Sequence, residues 1–321
     1  MRYVDLGGAR ISVIGLGAWQ FGSREWGYGD GYASGVAHDI VARARELGVN
    51  LFDTAEMYGL GKSERILGEA LGTTRSSVVV ASKLFPLAPF PPVITRRALG
   101  SARRLQLYTI PLYQIHAANA LVPDTVIMPG MRTLLQSGRI RAVGVSNYSL
   151  ARWRQADAAL GRPVVSNQVQ FSLARPQALQ DLVPFAEQED RIVMAYSPLA
   201  QGLLSGKYGV GNRPGGVRAG NPLFGVENLR RIEPMLNLLR TIAASYEAKP
   251  AQIALAWLLA QPQVVVIPGA SSVEQLEFNA AAADIDLDAG SVARLTAAAQ
   301  AFSPVSAGRT LLDTVKRRFR R

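Results

Sequence analysis

Four residues of different chemistry, Asp53, Tyr58, Lys83 and His116, give the clearest indication of catalysis in this chain. Asp53, Lys83 and His116 each end a short apolar run, and Tyr58 follows Asp53 by five positions. If the runs are parallel strands of one sheet, their last residues project at the same edge, where α/β folds build active sites. The sequence therefore predicts that an acid, a phenol, an amine and an imidazole meet in one pocket.

These four groups suit the reduction of a carbonyl. A phenol titrates near pH 10, and a neighbouring ammonium lowers that pKa. We expect Lys83 to supply this charge and Asp53 to keep Lys83 protonated. Tyr58 would donate a proton to a carbonyl oxygen as a hydride reaches the carbon, and His116 would hydrogen-bond the same oxygen. No metal ion is needed.

Each of the four residues also has an ordinary structural explanation. Tyr58 is then a loop aromatic, Asp53 and Lys83 are an ion pair between strands, and His116 is a core histidine. The chain holds only two histidines, and five lysines against thirty arginines. Lysine has a tunable pKa and arginine does not, so a lysine at such a position favours chemistry. Three such residues at the ends of successive runs, with Tyr58 shortly after the first of them, favour the catalytic interpretation.

The alternation of apolar runs and helical patterns indicates how the four residues are positioned. A first hairpin is predicted to turn at Gly7-Gly8. Eight apolar runs follow it, at 13–17, 50–53, 78–83, 112–116, 140–147, 164–171, 192–198 and 264–269. Helical patterns lie between and after the runs, at 36–47 with Ser34 as N-cap, 63–71, 123–136, 149–160, 176–189, 228–246, 250–260, 272–283 and 289–300.

Continuous runs rich in valine and isoleucine indicate a parallel sheet that is covered on its outer face. The simplest architecture is an α/β fold of the (β/α)8 TIM-barrel type with an N-terminal β-hairpin. A doubly wound sheet is the alternative, because Gly15 and Gly17 resemble a dinucleotide-binding turn. Gln20 occupies the third glycine position of that motif, and no helix pattern starts there. We expect one domain over 1–315, followed by a basic tail over 316–321.

Composition narrows the classes of function. The absence of cysteine excludes disulfides, thiolate metal sites and a cysteine nucleophile. The first residues lack the pattern of a signal peptide, and the longest apolar stretch, near 253–260, stops at Pro262, too short for a membrane span. We therefore expect a cytoplasmic enzyme.

The charge of the chain does not predict nucleic-acid binding. Net charge is +11, of which the tail carries five, leaving +6 for the rest. The other arginines are spread over helical surfaces with no aromatic-rich motif between them, which predicts attraction of anionic ligands and not a nucleic-acid partner. Docking of the tail on anionic lipid or nucleic acid is a further alternative, and a solvated tail is the default.

Five motifs together carry a resemblance to a known family. They are Asp53-Thr54-Ala55-Glu56-Met57-Tyr58-Gly59, Ala81-Ser82-Lys83, Leu112-Tyr113-Gln114-Ile115-His116, Gly144-Val145-Ser146-Asn147 and Asn167-Gln168-Val169-Gln170. In their order and spacing the chain resembles the aldo-keto reductase superfamily from about Tyr3 to Phe302. The segment Tyr196–Tyr208 is similar to the branch that includes potassium-channel β subunits. The resemblance implies a (β/α)8 barrel, NADPH and a tetrad of Asp, Tyr, Lys and His.

The resemblance also implies contacts along the cofactor. Asn147 and Gln168 would clamp nicotinamide, Tyr196 would stack on it, and Lys207 and Arg218 would pair with phosphate. The whole predicted set is Trp19, Asp53, Ser146, Asn147, Gln168, Tyr196, Ser197, Leu199, Gly202, Lys207, Arg218, Gly269, Ser271, Gln275 and Asn279. Amides that only satisfy backbone, and a plain surface helix after Gly269, are the structural alternatives.

The chain departs from the family pattern at the adenosine end. Ser271-Ser272 stands where many relatives have a basic residue, and Phe278 stands where an acidic residue is usual. The connection 202–225 has eight glycines and two prolines, which is typical of a lid or binding loop. Because this loop can supply cations, we expect NADPH in preference to NADH.

Taken together, the sequence predicts an NADP-dependent oxidoreductase that reduces small aldehydes or ketones. Trp19, Trp26, Tyr28 and Phe85 are candidates for the pocket wall, and their aromatic character favours an apolar or aromatic carbonyl. The alternative is a nucleotide-sensing binding protein with slow turnover, like the channel β subunits. The sequence leaves the oligomeric state open.

Overall fold

The computed structural model describes residues 1–22 and 35–305. A two-stranded antiparallel hairpin precedes eight parallel strands. The strands are β1 (Tyr3–Leu6), β2 (Ala9–Ser12), β3 (Leu16–Gly17), β4 (Leu51–Asp53), β5 (Val79–Leu84), β6 (Ile110–Ile115), β7 (Ile140–Ser146), β8 (Ser166–Gln170), β9 (Ile192–Tyr196) and β10 (Val264–Val266).

Helices connect the parallel strands. The α-helices of the described residues are α1 (Val36–Glu46), α2 (Lys62–Leu71), α3 (Pro91–Leu105), α4 (Asp124–Gln136), α5 (Leu150–Leu160), α6 (Leu182–Gln188), α7 (Val226–Ser245), α8 (Pro250–Leu259), α9 (Val273–Ala280) and α10 (Ala289–Ala301). Short 3-10 helices occupy Trp19–Gly22, Gly72–Ser77, Gln177–Leu179, Ala200–Ser205, Gly216–Gly220, Pro222–Phe224 and Ala281–Asp284.

The eight parallel strands close into a barrel. Each strand pairs with its neighbour in chain order from β3 to β10. Parallel bridges from Ile14 to Val266 and from Gly17 to Gly269 join the first strand to the last. A Cβ atom at Gly17 would lie 2.9 Å from the backbone oxygen of Ile267, so the seam requires glycine there. The predicted barrel with its N-terminal hairpin is confirmed, and the doubly wound alternative is wrong.

The hairpin fills the end of the barrel opposite the site. Leu6 and Ile11 are buried in one apolar cluster with Leu51, Leu112 and Ile192, which lie in the first halves of their strands. Because the amino ends of the strands are closed in this way, a cavity within the barrel opens at their carboxyl ends. Asp53, Lys83 and His116, which lie at or next to the ends of β4, β5 and β6, are at this open end.

Several predicted helix limits need correction. The pattern at 176–189 forms a 3-10 turn and then α6, because Pro184 would clash with the turn before it in a continuous helix and is tolerated in a first turn. The pattern at 272–283 ends as an α-helix at Ala280. Helix α3 was not predicted, although Pro91 and Pro92 at its first positions are a recognised start signal.

Some sequence predictions fall outside the described residues. They concern the Ser34 cap, Trp26, Tyr28 and the tail 316–321. Within the described ranges, no helix combines the length and the apolar character needed to cross a bilayer.

Candidate active site

Lys83 and Asp53 form a buried ion pair at the base of the cavity. Lys83 is near the end of β5 and Asp53 ends β4, and these two strands are paired. The Lys83 Nζ donates to Asp53 Oδ2 at 2.6 Å, to the Thr54 carbonyl at 2.9 Å and to the Tyr58 hydroxyl at 3.3 Å. Burial alone would lower the pKa of Lys83, but Asp53 and Tyr58 outweigh it and raise the pKa above its ordinary value. The ammonium therefore stays charged.

Tyr58 lies above this pair, on the loop that follows β4. Burial raises the pKa of the Tyr58 hydroxyl, the charge of Lys83 lowers it, and Asp53 raises it again. The expected lowering of the pKa of Tyr58 by Lys83 is present, but burial outweighs it and the net shift is upward. The phenol keeps its proton at neutral pH, which a proton donor requires.

His116 follows β6 directly and faces Tyr58. Its backbone N–H donates to the Leu84 carbonyl at 2.9 Å, which fixes the start of the loop. The imidazole packs edge-on against Tyr58, with ring centroids 5.7 Å apart, and against Phe85 at 6.3 Å. Burial, together with the charge of Lys83, lowers the pKa of His116 to about 3. His116 is therefore a neutral hydrogen-bonding group at physiological pH.

The second oxygen of Asp53 accepts hydrogen bonds from two carboxamides. Gln168 Nε2 donates to Asp53 Oδ1 at 2.7 Å, and Gln114 Nε2 lies 3.5 Å from the same atom. Sequence reasoning gave Gln114 no role, although it lies two positions before His116 in a motif that was recognised. Asp53 is thus held by side chains from three other strands, β5, β6 and β8.

Asn147, Ser146 and Tyr196 form a second polar group across the mouth. Asn147 follows β7 with a left-handed backbone, φ +58°, a conformation that asparagine tolerates better than most residues. Its Oδ1 accepts from the Tyr196 hydroxyl at 3.0 Å, and its Nδ2 donates to Ser146 Oγ at 3.0 Å. Ser146 Oγ in turn donates to the Gln168 carbonyl at 2.8 Å. The ends of β7, β8 and β9 are therefore joined.

A single cavity of about 650 Å³ contains these groups. Tyr58 and His116 line it, as do all fifteen residues of the predicted cofactor set, from Trp19 to Asn279, whereas Lys83 lies beneath the lining. Lining residues that the sequence analysis did not assign are Gly17, Gln20, Pro198, Gln201, Ser205, Tyr208, Ala251, Ile267, Pro268 and Phe278. Most of them lie in loops at the carboxyl ends of the strands. Their position in the chain shortly after a predicted strand is the signal that could have identified them.

The far end of the cavity is formed by the long loop and by α9. Gln201 ties the loop together, since its carbonyl accepts from Arg218 Nε at 3.1 Å and its Oε1 accepts from Asn221 Nδ2 at 3.0 Å. The backbone N–H and the hydroxyl of Ser271 both donate to Gln275 Oε1, at 2.7 and 2.8 Å. The side chain of Lys207 is exposed. Two cations thus border the same space as the amino end of α9.

Two further observations bear on what this cavity holds. Asn279 Oδ1 and His116 Nδ1 are buried and have no hydrogen-bond partner among the described residues, and both side chains line the cavity. Buried polar atoms of this kind indicate a ligand that would satisfy them. Among residues 1–22 and 35–305, no cluster of histidine, aspartate and glutamate side chains is placed to hold a metal ion.

Comparisons with known proteins identify the family. The sequence matches the profile of the Aldo/keto reductase family over residues 13–300. It is 73% identical over 322 residues to an "Uncharacterized oxidoreductase" of Mycobacterium tuberculosis (strain ATCC 25618 / H37Rv), with all of both chains covered. It is 30% identical to the "NADH-specific methylglyoxal reductase" of Escherichia coli (strain K12), over 89% of this chain and 95% of that protein.

Two more relatives bear on the cofactor and on the alternative function. The chain is 29% identical to a "Probable voltage-gated potassium channel subunit beta" of Oryza sativa subsp. japonica, over 89% of this chain and 92% of that protein. A crystal structure of an aldo/keto reductase from Klebsiella pneumoniae in complex with NADP and acetate superposes with a TM-score of 0.72 at 30% identity, covering 95% of this chain and 96% of that one. The protein belongs to the aldo/keto reductase family and is an oxidoreductase with a small-molecule substrate.

Proposed function

We propose that this protein reduces aldehydes or ketones to alcohols with NADPH, and that Tyr58 is the proton donor. The contact of Lys83 Nζ with both Asp53 and the Tyr58 hydroxyl carries the proposal. Bound NADPH supplies the hydride. Tyr58 gives its proton to the carbonyl oxygen, and the phenolate that remains is stabilised by the ammonium of Lys83. His116, as a neutral imidazole, hydrogen-bonds the substrate oxygen and orients it.

The lining of the cavity supports a dinucleotide. Asn147 and Gln168 would hold the carboxamide of nicotinamide, and Tyr196 would cover the ring. Lys207 and Arg218 would meet phosphate, and the buried Asn279 Oδ1 is an acceptor suited to an adenine amine. These groups extend along one continuous cavity, as an elongated cofactor requires.

We also propose that the protein prefers NADPH to NADH. The two cations beside α9 support it, because a 2′-phosphate needs charge-assisted partners. The Klebsiella pneumoniae structure with NADP also supports it, whereas the NADH-specific relative from Escherichia coli supports the alternative.

We further propose that residues 1–315 form one domain, since the seam of the barrel joins Ile14 to Val266. A cytoplasmic location remains the expectation from the sequence.

Replacing Tyr58 tests the proposed chemistry. Tyr58→Phe should lower the turnover of a reactive aldehyde such as 4-nitrobenzaldehyde by about 10²- to 10⁴-fold, the usual contribution of a general acid. The dissociation constant of NADPH should change little, because the ring and the pocket are kept. Turnover close to that of the parent protein would exclude Tyr58 as the proton donor.

A redox-sensing protein is the second candidate. The similarity of Tyr196–Tyr208 to channel β subunits and the relative from Oryza sativa favour it. A sensor would release its oxidised cofactor slowly, so a fast first turnover would be followed by a slow steady state. A steady-state rate equal to the first-turnover rate would exclude the sensor.

A further inference from the structure

A group of exposed apolar side chains, here called the apolar rim, lies in loops at the end of the barrel where the cavity opens, outside the lining of the cavity itself. It consists of Met57, Leu60, Phe85, Leu87, Phe90 and Leu121. All six lie in the loops that follow three successive strands, β4, β5 and β6. Eleven large hydrophobic residues of the described chain are exposed, and these six are more than half of them. Exposed apolar side chains concentrated at one place mark a binding surface.

The leucines of the rim are exposed at some cost in stability. Leu121 is 92% exposed, Leu60 80% and Leu87 69%. Leu60 also has a left-handed backbone, φ +53°, which is disfavoured for any residue with a Cβ atom. A polar residue, or glycine at position 60, would be the better choice for a loop with no ligand.

Polar contacts hold these loops in place. One carboxylate oxygen of Glu56 accepts from the Phe85 backbone N–H at 2.6 Å, and the other accepts from Arg97 Nε at 3.0 Å. Arg97 Nη1 also donates to the Leu87 carbonyl at 3.1 Å. The loop after β5 is therefore tied both to the Tyr58 loop and to α3.

The loop after β6 is tied to the same structure. Asn119 Nδ2 donates to the Pro86 carbonyl at 2.7 Å, and Asn119 Oδ1 accepts from the backbone N–H of Leu121 at 2.7 Å. The rim is thus a preformed surface, and a ligand that binds it loses little free energy to ordering of the loops.

The rim is continuous with the proposed reacting groups. The Phe85 ring lies 6.3 Å from that of His116, which lies 5.7 Å from that of Tyr58. Glu56, in the loop after β4, forms an ion pair with Arg97 of α3. Among the described residues of the rim loops, a substrate whose carbonyl sits at Tyr58 would therefore extend over apolar side chains and would meet no unpaired charge.

We propose that the rim is part of the substrate site and binds the hydrocarbon chain of an amphiphilic carbonyl compound, such as a medium-chain or long-chain aliphatic aldehyde. The inference rests on the proposed reductase function and specifies its substrate class. The carbonyl would occupy the cavity beside Tyr58 and His116, and the chain would lie outward across Phe85, Leu87 and Leu121.

A series of straight-chain aldehydes from butanal to decanal tests this inference, with kcat/KM measured at saturating NADPH below the solubility limit of each aldehyde. Because each methylene would be only partly buried on the rim, kcat/KM should rise about twofold per carbon beyond the chain length that fills the cavity. Leu87→Ser and Leu121→Ser should each lower the ratio of the decanal value to the butanal value about threefold or more. Both side chains are exposed, so these variants should fold.

Tyr108→Ser is the matched control. Tyr108 is 74% exposed and lies between α3 and β6, at the opposite end of the barrel. Tyr108→Ser should leave the ratio of the decanal kcat/KM to the butanal kcat/KM unchanged. The inference would be overturned if the parent protein had nearly equal kcat/KM values for decanal and butanal. It would also be overturned if Tyr108→Ser changed the ratio of these values as much as Leu87→Ser and Leu121→Ser do.

Two other outcomes have separate meanings. If butanal and decanal are reduced equally well but Leu121→Ser dissociates a dimer in sedimentation, the rim is a contact between copies of this chain and the inference is wrong. If no aldehyde is reduced with either nicotinamide cofactor, the proposed function itself fails, and the inference fails with it. If butanal is reduced and kcat/KM does not depend on chain length, the inference about the rim is wrong and the proposed reductase function stands.

Discussion

The two ends of the cavity differ in how their polar groups are satisfied. At the tetrad end, Asp53, Lys83 and Gln168 are buried and bonded to one another across neighbouring strands. At the α9 end, Lys207 is exposed, and Gln201 accepts hydrogen bonds from Arg218 and Asn221 of the long loop. Rigid strands position the groups proposed for chemistry, whereas a glycine-rich loop positions those proposed for phosphate. A substitution at the tetrad end should therefore lower both the free energy of unfolding and the turnover rate. A substitution at the α9 end should change only the affinity for the cofactor.

The largest effect is expected at Lys83. Lys83→Met should lower turnover by about 10³-fold, because Tyr58 loses the charge that stabilises its phenolate. It should also lower the free energy of unfolding by about 3 to 5 kcal/mol, because Asp53 is left buried without a cation. Steady-state kinetics and urea denaturation measure the two effects.

A double variant separates rate from stability. Adding Asp53→Asn to Lys83→Met removes the unpaired charge, so part of the stability should return while turnover stays low. Loss of turnover in Lys83→Met with an unchanged unfolding midpoint would show that the ion pair does not stabilise this end of the cavity.

The tetrad was predictable because three of its members stand at the ends of apolar runs and Tyr58 closely follows the first of them. Once Asp53, Lys83 and His116 were placed at strand ends, the parallel barrel brought them together. Gln114 was overlooked, because its contact with Asp53 depends on the rotamer of a buried side chain, which sequence periodicity does not give. The upward shift in the pKa of Tyr58 was also missed, because burial outweighs the charge of Lys83 and burial depends on the folded loops.

The long loop was predictable only in outline. Its glycine content predicted a binding loop, and Lys207 and Arg218 do border the cavity. The contacts of Gln201 were not predicted, since they require left-handed backbone at a residue that is not glycine. Helix α3 was not predicted, because Pro91 and Pro92 are compatible with a loop as well as with a helix start. Gly15 and Gly17 suggested a doubly wound sheet, because closely spaced glycines also occur in nucleotide-binding turns. In the structure, Gly17 lies at the seam of the barrel.

A smaller effect is expected at the α9 end. The parent protein should bind NADPH about tenfold more tightly than NADH, because charge-assisted contacts to a phosphate are worth about 1.5 to 3 kcal/mol. Arg218→Ala should narrow this difference and leave kcat at saturating NADPH nearly unchanged. Dissociation constants from quenching of tryptophan fluorescence measure the effect.

Arg213→Ala is the control for that variant. Arg213 is on the same loop, donates to the Phe224 carbonyl at 3.0 Å and does not line the cavity. It should leave the difference between the two cofactors intact. Equal affinities for NADPH and NADH in the parent protein would contradict the prediction before any variant is made.

The smallest effect is expected from pH. The pKa of His116 is lowered to about 3, and the pKa values of Tyr58 and Lys83 are both raised. None of these groups changes charge near neutrality, so kcat for reduction should vary less than twofold between about pH 5 and pH 9. An inflection near pH 6.5 that disappears in His116→Gln would show that this imidazole titrates in the working range.

The seam of the barrel has a consequence for biosynthesis. Strand β3 pairs on one side with β4 but on the other with residues near 266 to 269, about 250 residues later in the chain. At the usual 5 to 20 residues per second of translation, that partner leaves the ribosome about 12 to 50 seconds after β3 does. Throughout this interval the nascent chain has an unpaired, aggregation-prone strand edge, so its yield in the cell should depend on chaperones that shield such edges and on how fast the last third of the message is translated.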